Sequence, residues 1–111
     1  MTGLEPGLSD RVGETYIVMA VPGESRGGHY HPLANEWFTV IRGAAVTVLT
    51  DVATGEEFTL TLEADRPQTL MVHAGTAHRF ENRSHDSEFW LLAYSDQPYD
   101  PADTVPYDPQ K

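Results

Sequence analysis

Residues 23–43 of the 111-residue chain, GESRGGHYHPLANEWFTVIRG, decide how the whole sequence is interpreted. They hold two histidines one residue apart, His29 and His31, followed by a glutamate, Glu36. A third histidine, His78, lies downstream in VHAGTAHRFEN. Three imidazoles and one carboxylate form a ligand set that suits a divalent transition metal. The sequence therefore predicts a metal site built from these four residues.

The period of a β-strand supports this prediction. Residues two apart in an extended strand point to the same face, so His29 and His31 can reach one point between them. Glu36 begins the apolar run EWFTVI, and His78 shares a face with Phe80. Three strands that turn these faces inward would bring the four candidate ligands to one centre.

The chain alternates between short β-branched or aromatic segments and turns, and no segment is typical of a helix of 10 or more residues. This pattern predicts an all-β sandwich or small barrel in one domain. An N-terminal arm is expected at 1–13 and a proline-rich C-terminal segment at 96–111. We expect strands at 14–21, 29–31, 36–42, 44–51, 58–62, 68–73, 77–82 and 88–95.

Composition narrows the classes of function. With 17 acidic against 7 basic residues, the net charge of −10 makes a nucleic-acid partner unexpected. No apolar run is long enough for a membrane span, and the N-terminus lacks the pattern of a signal peptide, so we expect a cytoplasmic protein without a membrane partner. The chain has no cysteine, so any metal must be held by histidine and carboxylate.

Two motifs resemble those of the cupin superfamily. The first is Gly-x5-His-x-His-x4-Glu-x6-Gly over residues 23–43, and the second is Gly-x2-His-x3-Asn over residues 75–82. Two positions depart from the second motif, because Pro67 replaces a glycine and His73 replaces a proline. The resemblance implies an RmlC-like jelly roll, a single-domain double-stranded β-helix over residues 14–95, with the metal inside its mouth.

One cupin branch is more closely similar. The segments RGGHYH at 26–31, NEWFTV at 35–40 and YDPADT at 99–104 resemble the cupin domain of bifunctional capsular-polysaccharide enzymes. In those enzymes the domain epimerises a 4-keto sugar nucleotide and holds zinc. The resemblance therefore implies a homodimer, a small-molecule substrate and one divalent transition metal, zinc in first place, with iron, manganese or nickel as alternatives.

The leading hypothesis is an isomerase or epimerase of a carbohydrate or nucleotide-sugar carbonyl compound. An open metal position polarises the carbonyl oxygen, and a nearby base moves a proton. His73 is the candidate base, although a structural role in its turn is open. Tyr16 is a candidate proton donor, although simple packing is open. Arg26 and Arg79 are candidates for binding the substrate phosphates.

Two other functions fit the same ligand set. With iron the site could activate O₂, as in a dioxygenase of a small organic substrate. A cupin that binds a small ligand without turnover is the third hypothesis. The sequence also leaves open whether the proline-rich end closes over the pocket or lies on a partner subunit.

Overall fold

The computed structural model describes residues 13–98 and 100–107, which form two antiparallel β-sheets packed face to face. The strands are β1 Glu14–Ala20, β2 Ser25–Tyr30, β3 Glu36–Arg42, β4 Ala44–Asp51, β5 Glu57–Glu63, β6 Thr69–Val72, β7 Thr76–Glu81, β8 Phe89–Ser95 and β9 Val105–Pro106. One short 3-10 helix, Pro101–Asp103, precedes β9. This architecture confirms the predicted all-β jelly roll.

Apart from the β4–β5 hairpin, successive strands alternate between the two sheets. The four-stranded sheet has the order β1-β8-β3-β6, and the five-stranded sheet has the order β5-β4-β7-β2-β9. Gly43 lies between β3 and β4, where the chain leaves one sheet for the other. This alternation carries residues from distant parts of the sequence to the same end of the sandwich.

The core lies between the inner faces of the two sheets. Strand β8 shows the pattern, because Phe89, Leu91 and Ala93 are fully buried while the residues between them are half-buried on the outer face. Phe38 of β3 and Phe80 of β7 meet across the core, with their ring centroids 4.7 Å apart. Alternation of buried and outward residues is what two packed sheets require.

Strand β2 differs from the prediction. The sequence predicts a strand at 29–31, whereas β2 begins at Ser25 and ends at Tyr30, so His31 lies just beyond it. Gly27 and Gly28 have φ of 94° and 81°, and the pairing with β7 shifts register here. A Cβ at Gly27 would lie 2.6 Å from the carbonyl oxygen of His78. The glycine pair therefore forms a bulge where two backbones approach closely, and not a turn.

The predicted arm 1–13 lies outside the described residues except for Gly13, whose amide donates to the Ser95 carbonyl over 2.7 Å. The C-terminal segment folds back along the sandwich, and β9 pairs with β2. Tyr99 lies outside the described residues. Among residues 13–98 and 100–107, no helix is long and apolar enough to cross a membrane.

The sheet crossing at Gly43 yields a stability prediction. Gly43 has φ of 74°, and a Cβ there would lie well inside van der Waals contact of the Glu88 carbonyl oxygen. Gly55 has a similar φ of 77° in open space. We expect Gly55→Ala to lower the free energy of unfolding by about 1 kcal/mol, and Gly43→Ala by roughly 2 kcal/mol more. Urea unfolding measures both, and equal losses would contradict the steric argument.

Candidate metal centre

Four predicted ligands meet at one end of the sandwich. His29 of β2 lies directly opposite His78 of β7 in the same sheet. Glu36, the first residue of β3, reaches them from the facing sheet, and His31 reaches them from the loop after β2. One ligand atom of each residue lies within 4.8 Å of all the others, so this group could hold a metal ion.

The contacts of Glu36 test whether these side chains fit a cation. Its Oε1 lies 2.9 Å from Nε2 of His31 and 3.4 Å from Nε2 of His78. Nevertheless, Oε1 of Glu36 and Nε2 of His31 are buried without hydrogen-bond geometry to any described atom. Buried polar atoms in proteins are nearly always satisfied. A cation shared by oxygen and nitrogen donors would satisfy both atoms, so the donor set fits a divalent transition metal.

Burial and mutual contact set the protonation of these groups. Burial lowers the pKa of His78 to about 4, and burial together with His31 lowers the pKa of His29. Burial alone would raise the pKa of Glu36, but contact with His31 and His78 outweighs it and lowers this pKa. Contact with the Glu36 carboxylate raises the pKa of His31. An ionised carboxylate therefore faces neutral His29 and His78, which suits metal binding.

Tyr16 of β1 holds the second oxygen of the same carboxylate. Its hydroxyl donates to Oε2 of Glu36 over 2.8 Å. Burial, and then the Glu36 charge, raise the pKa of Tyr16, so its proton stays on the phenol. The structure thus brings Tyr16 into the site as a donor to Glu36.

A cavity of about 250 Å³ opens beside the candidate centre. A groove of about 300 Å³ continues it and shares Gln97, Pro98, Asp100 and Asp103 with its wall. The described lining includes four carboxylates and neither arginine nor lysine. The residues that line the cavity are Glu14, Tyr16, His29, His31, Ala34, Glu36, Ser95, Gln97, Pro98, Asp100, Asp103 and Thr104.

Three candidate residues are not brought to this cavity. His73 is exposed in the loop between β6 and β7 and does not line the wall. Arg26 pairs with Glu24 at 3.0 Å, and Arg79 pairs with Glu81 at 2.8 Å. Arg79 follows His78 within β7, so its side chain points to the opposite face of the sheet. The geometry gives none of the three a contact with a ligand in the cavity.

Most residues of the cavity wall carry no signal that the sequence prediction used, and the most important of them is Asp103. This buried carboxylate accepts the backbone amides of Leu33 and Ala34 over 2.8 and 3.0 Å. The available signal was Asp100-Pro101, an N-cap and first-turn pair, which places a 3-10 turn at this point. Within the described residues, the proline-rich end thus forms part of the cavity wall of its own chain.

Fold and site together define a cupin, a jelly roll with histidines and a glutamate gathered in its mouth. A family model described as the polysaccharide biosynthesis C-terminal domain matches residues 5–107. The chain therefore belongs to that family, which confirms the resemblance to an RmlC-like cupin.

Two curated relatives extend the comparison. The chain is 38% identical over 64 residues to the tetracenomycin polyketide synthase protein TcmJ of Streptomyces glaucescens, covering 58% of this chain and 38% of the relative. It is 29% identical over 80 residues to the UDP-2-acetamido-2,6-beta-L-arabino-hexul-4-ose reductase of Pseudomonas aeruginosa, covering 72% of this chain and 22% of the relative. The chain thus spans well under half of either relative.

Solved structures share the fold. The capsular polysaccharide assembling protein CapF of Staphylococcus aureus has a TM-score of 0.81 at 25% identity, covering 90% of this chain and 28% of CapF. NovW, a 4-keto-6-deoxy sugar epimerase of Streptomyces spheroides, has a TM-score of 0.78 at 25% identity, covering 87% of this chain and 52% of NovW. A dTDP sugar isomerase of Desulfovibrio desulfuricans reaches 0.85 at 20% identity, covering 97% and 72%.

The Tyr16 contact yields the prediction for this site. Tyr16→Phe removes the hydroxyl that donates to Oε2 of Glu36 and leaves that buried carboxylate oxygen without this hydrogen bond. Since hydrogen bonds to charged groups contribute about 1.5–3 kcal/mol, we expect the free energy of unfolding to fall by that amount. Tyr30→Phe is the control, because the Tyr30 ring packs on Tyr107 away from Glu36. Equal stabilities for the two variants in chemical denaturation would refute the contact.

Proposed function

We propose that this chain is a metal-dependent isomerase or epimerase of a carbonyl compound of the carbohydrate type. The observation that carries the proposal is the unsatisfied pair of buried atoms, Oε1 of Glu36 and Nε2 of His31, in the wall of a cavity. The fold shared with a 4-keto-6-deoxy sugar epimerase supports the same reaction class. Zinc is the metal proposed, with iron, manganese or nickel as alternatives for the same donors.

A metal held by His29, His31, Glu36 and His78 would supply Lewis acidity toward a carbonyl oxygen in the cavity. The carbon next to that carbonyl would then lose its proton more readily, and a carboxylate in the wall could accept the proton. Return of a proton to the opposite face of that carbon would complete an epimerisation, and return to a neighbouring atom an isomerisation. With His73 outside the cavity, we propose Glu14, at the start of β1, as the acceptor. Tyr16 holds Glu36 in place, because its hydroxyl is already committed to that carboxylate.

The charge of the cavity wall limits which part of a substrate can lie in the cavity. Four carboxylates line it, and neither arginine nor lysine of the described chain does, so a phosphate in this space would meet like charge. We therefore propose that the cavity receives the sugar or another uncharged carbonyl portion. Any phosphates of a nucleotide sugar would lie outside the described wall, where binding by Arg26 or Arg79 would require each to leave its glutamate partner.

A second candidate is a carbonyl group of a polyketide. The 38% identity to a polyketide synthase protein favours it, although over only 58% of this chain. A largely uncharged, carbonyl-rich ligand also suits a cavity whose described wall has neither arginine nor lysine. The chemistry at the centre would be the same, with a polarised carbonyl and a proton accepted by the wall.

The first test of the proposal is metal content. We expect about one equivalent of a single metal per chain by elemental mass spectrometry, because four donor atoms converge within 4.8 Å. The double variant His29→Ala/His78→Ala should lose it, whereas His73→Ala/His85→Ala should retain it, since neither of those histidines belongs to the cluster. Retention of metal by the first pair, or none in the wild type after titration, would refute the metal centre.

The reaction class is decided on the same metal-loaded protein. An isomerase or epimerase exchanges the hydrogen next to a carbonyl with solvent deuterium, and Glu14→Gln should slow this exchange at unchanged metal content. A panel of 4-keto sugars, with and without a nucleotide, and of aromatic polyketides identifies the substrate. Oxygen uptake with iron would favour the dioxygenase, and saturable binding without exchange would favour the binding protein.

We also propose a homodimer formed through the outer face of the four-stranded sheet. This face carries exposed apolar residues, with Ile17 and Met19 each about half exposed. Trp37 and Tyr94 stack on it with their ring centroids 5.2 Å apart. A broad apolar surface of this kind marks an interaction site.

We expect Ile17→Asp/Met19→Asp to weaken dimerisation by roughly 100-fold or more, because a twofold interface meets each change twice and an unpaired buried charge costs about 1–3 kcal/mol. Phe58→Asp is the matched control, since Phe58 is exposed on the other sheet. Sedimentation velocity at micromolar concentration measures the fraction of dimer for each variant. A sharp monomer boundary for the wild type would end the proposal.

A further inference from the structure

The C-terminal segment makes a direct contact with one candidate ligand. The backbone carbonyl oxygen of Asp103 lies 2.9 Å from Nδ1 of His31. His31 lies beyond the end of β2, so the strand pairing that places His29 opposite His78 does not extend to it. The contact from Asp103 therefore comes at the point where the sheet no longer orients the ring.

The carboxylate of Asp103 fixes that carbonyl in space. Its Oδ1 accepts the amide of Leu33 over 2.8 Å, and its Oδ2 accepts the amide of Ala34 over 3.0 Å. Asp103 is only 8% exposed, and hydrogen bonds to a carboxylate in such a setting are strong. The side chain and the backbone carbonyl of Asp103 thus both bind the short loop that begins with His31.

The contact also selects which nitrogen of His31 faces the cluster. A carbonyl oxygen only accepts hydrogen bonds, so Nδ1 must carry the proton. In the neutral ring the lone pair is then on Nε2. Nε2 is the atom that lies 2.9 Å from Oε1 of Glu36. The tautomer fixed by the C-terminal segment is the one that presents a ligand atom to the centre.

We propose that Asp103 is a positioning residue: its carboxylate holds the 31–34 loop, and its carbonyl oxygen sets the tautomer and orientation of His31. The role of His31 as a metal ligand rests on the proposed function, whereas its tautomer is a property of the metal-free protein. Outer partners of ligating histidines typically change metal affinity by about 10- to 100-fold when they are altered. We expect a change of that size.

The test compares Asp103→Asn with Asp51→Asn. Asp103→Asn keeps the shape but turns an NH₂ group toward one of the two amides that the carboxylate accepts. Asp51 is the matched control, because its Oδ1 also accepts two backbone amides, those of Ala53 and Thr54, in the hairpin after β4. Nitrogen-15 NMR of the imidazoles reports, without metal, whether Nδ1 of His31 carries a proton. Cobalt(II) titration reports affinity and, by visible absorption, ligand geometry.

Wild type and Asp51→Asn should show His31 protonated at Nδ1, whereas Asp103→Asn should show mixed tautomers, an altered cobalt spectrum and about 10- to 100-fold weaker binding. An unchanged tautomer or an unchanged affinity in Asp103→Asn would overturn the proposal. If that variant does not fold, the wild type still decides, since an Nδ1 of His31 without a proton would overturn the proposal. If the wild type binds no cobalt, the proposed metal-dependent function is refuted. The proposal for Asp103 is then tested by the tautomer comparison alone.

Discussion

A buried, ionised carboxylate at one end of an apolar sandwich is the constraint on which this structure depends. Glu36 is only 3% exposed, and an unpaired charge at such depth is costly. Its compensation comes from Tyr16 on β1, His78 on β7 and His31 after β2. Both sheets must therefore be packed against each other before the charge is stabilised. The geometry of the site thus depends on completion of the fold.

Much of this arrangement follows from local pattern. The bounds of β3 and β4 agree with the prediction, because apolar alternation is interrupted by Gly43. Spacing and strand parity are also sufficient to gather Glu36 and His78, since each lies in a regular strand with an inward-facing period. His29 joins them directly after the β2 bulge, opposite His78. The extent of β2 was not predictable in this way. A glycine pair is typical of a turn, and only the closeness of the β7 backbone makes it a bulge.

The parts of the site that sequence spacing could not place depend on distance in space. Arg26 and Arg79 are close to the ligands along the chain, but both are engaged by glutamates away from the cavity. For Arg79, strand parity already predicts an outward side chain, because the residue next to an inward-facing residue in a strand faces outward. Asp103 gave no periodic signal, and its contacts join residues about 70 positions apart. Only the folded chain brings this segment to the His31 loop.

The acidic cavity wall restricts what can enter it. Glu14, Asp100 and Asp103 add negative charge around Glu36, within a chain whose net charge is already −10. Such a field attracts a divalent cation and repels an anion. A cation bound to the cluster would offset part of this charge without reversing the sign of the whole wall. Such a wall would favour a neutral carbonyl oxygen over a phosphate, because only the phosphate adds charge of the same sign as the surrounding carboxylates.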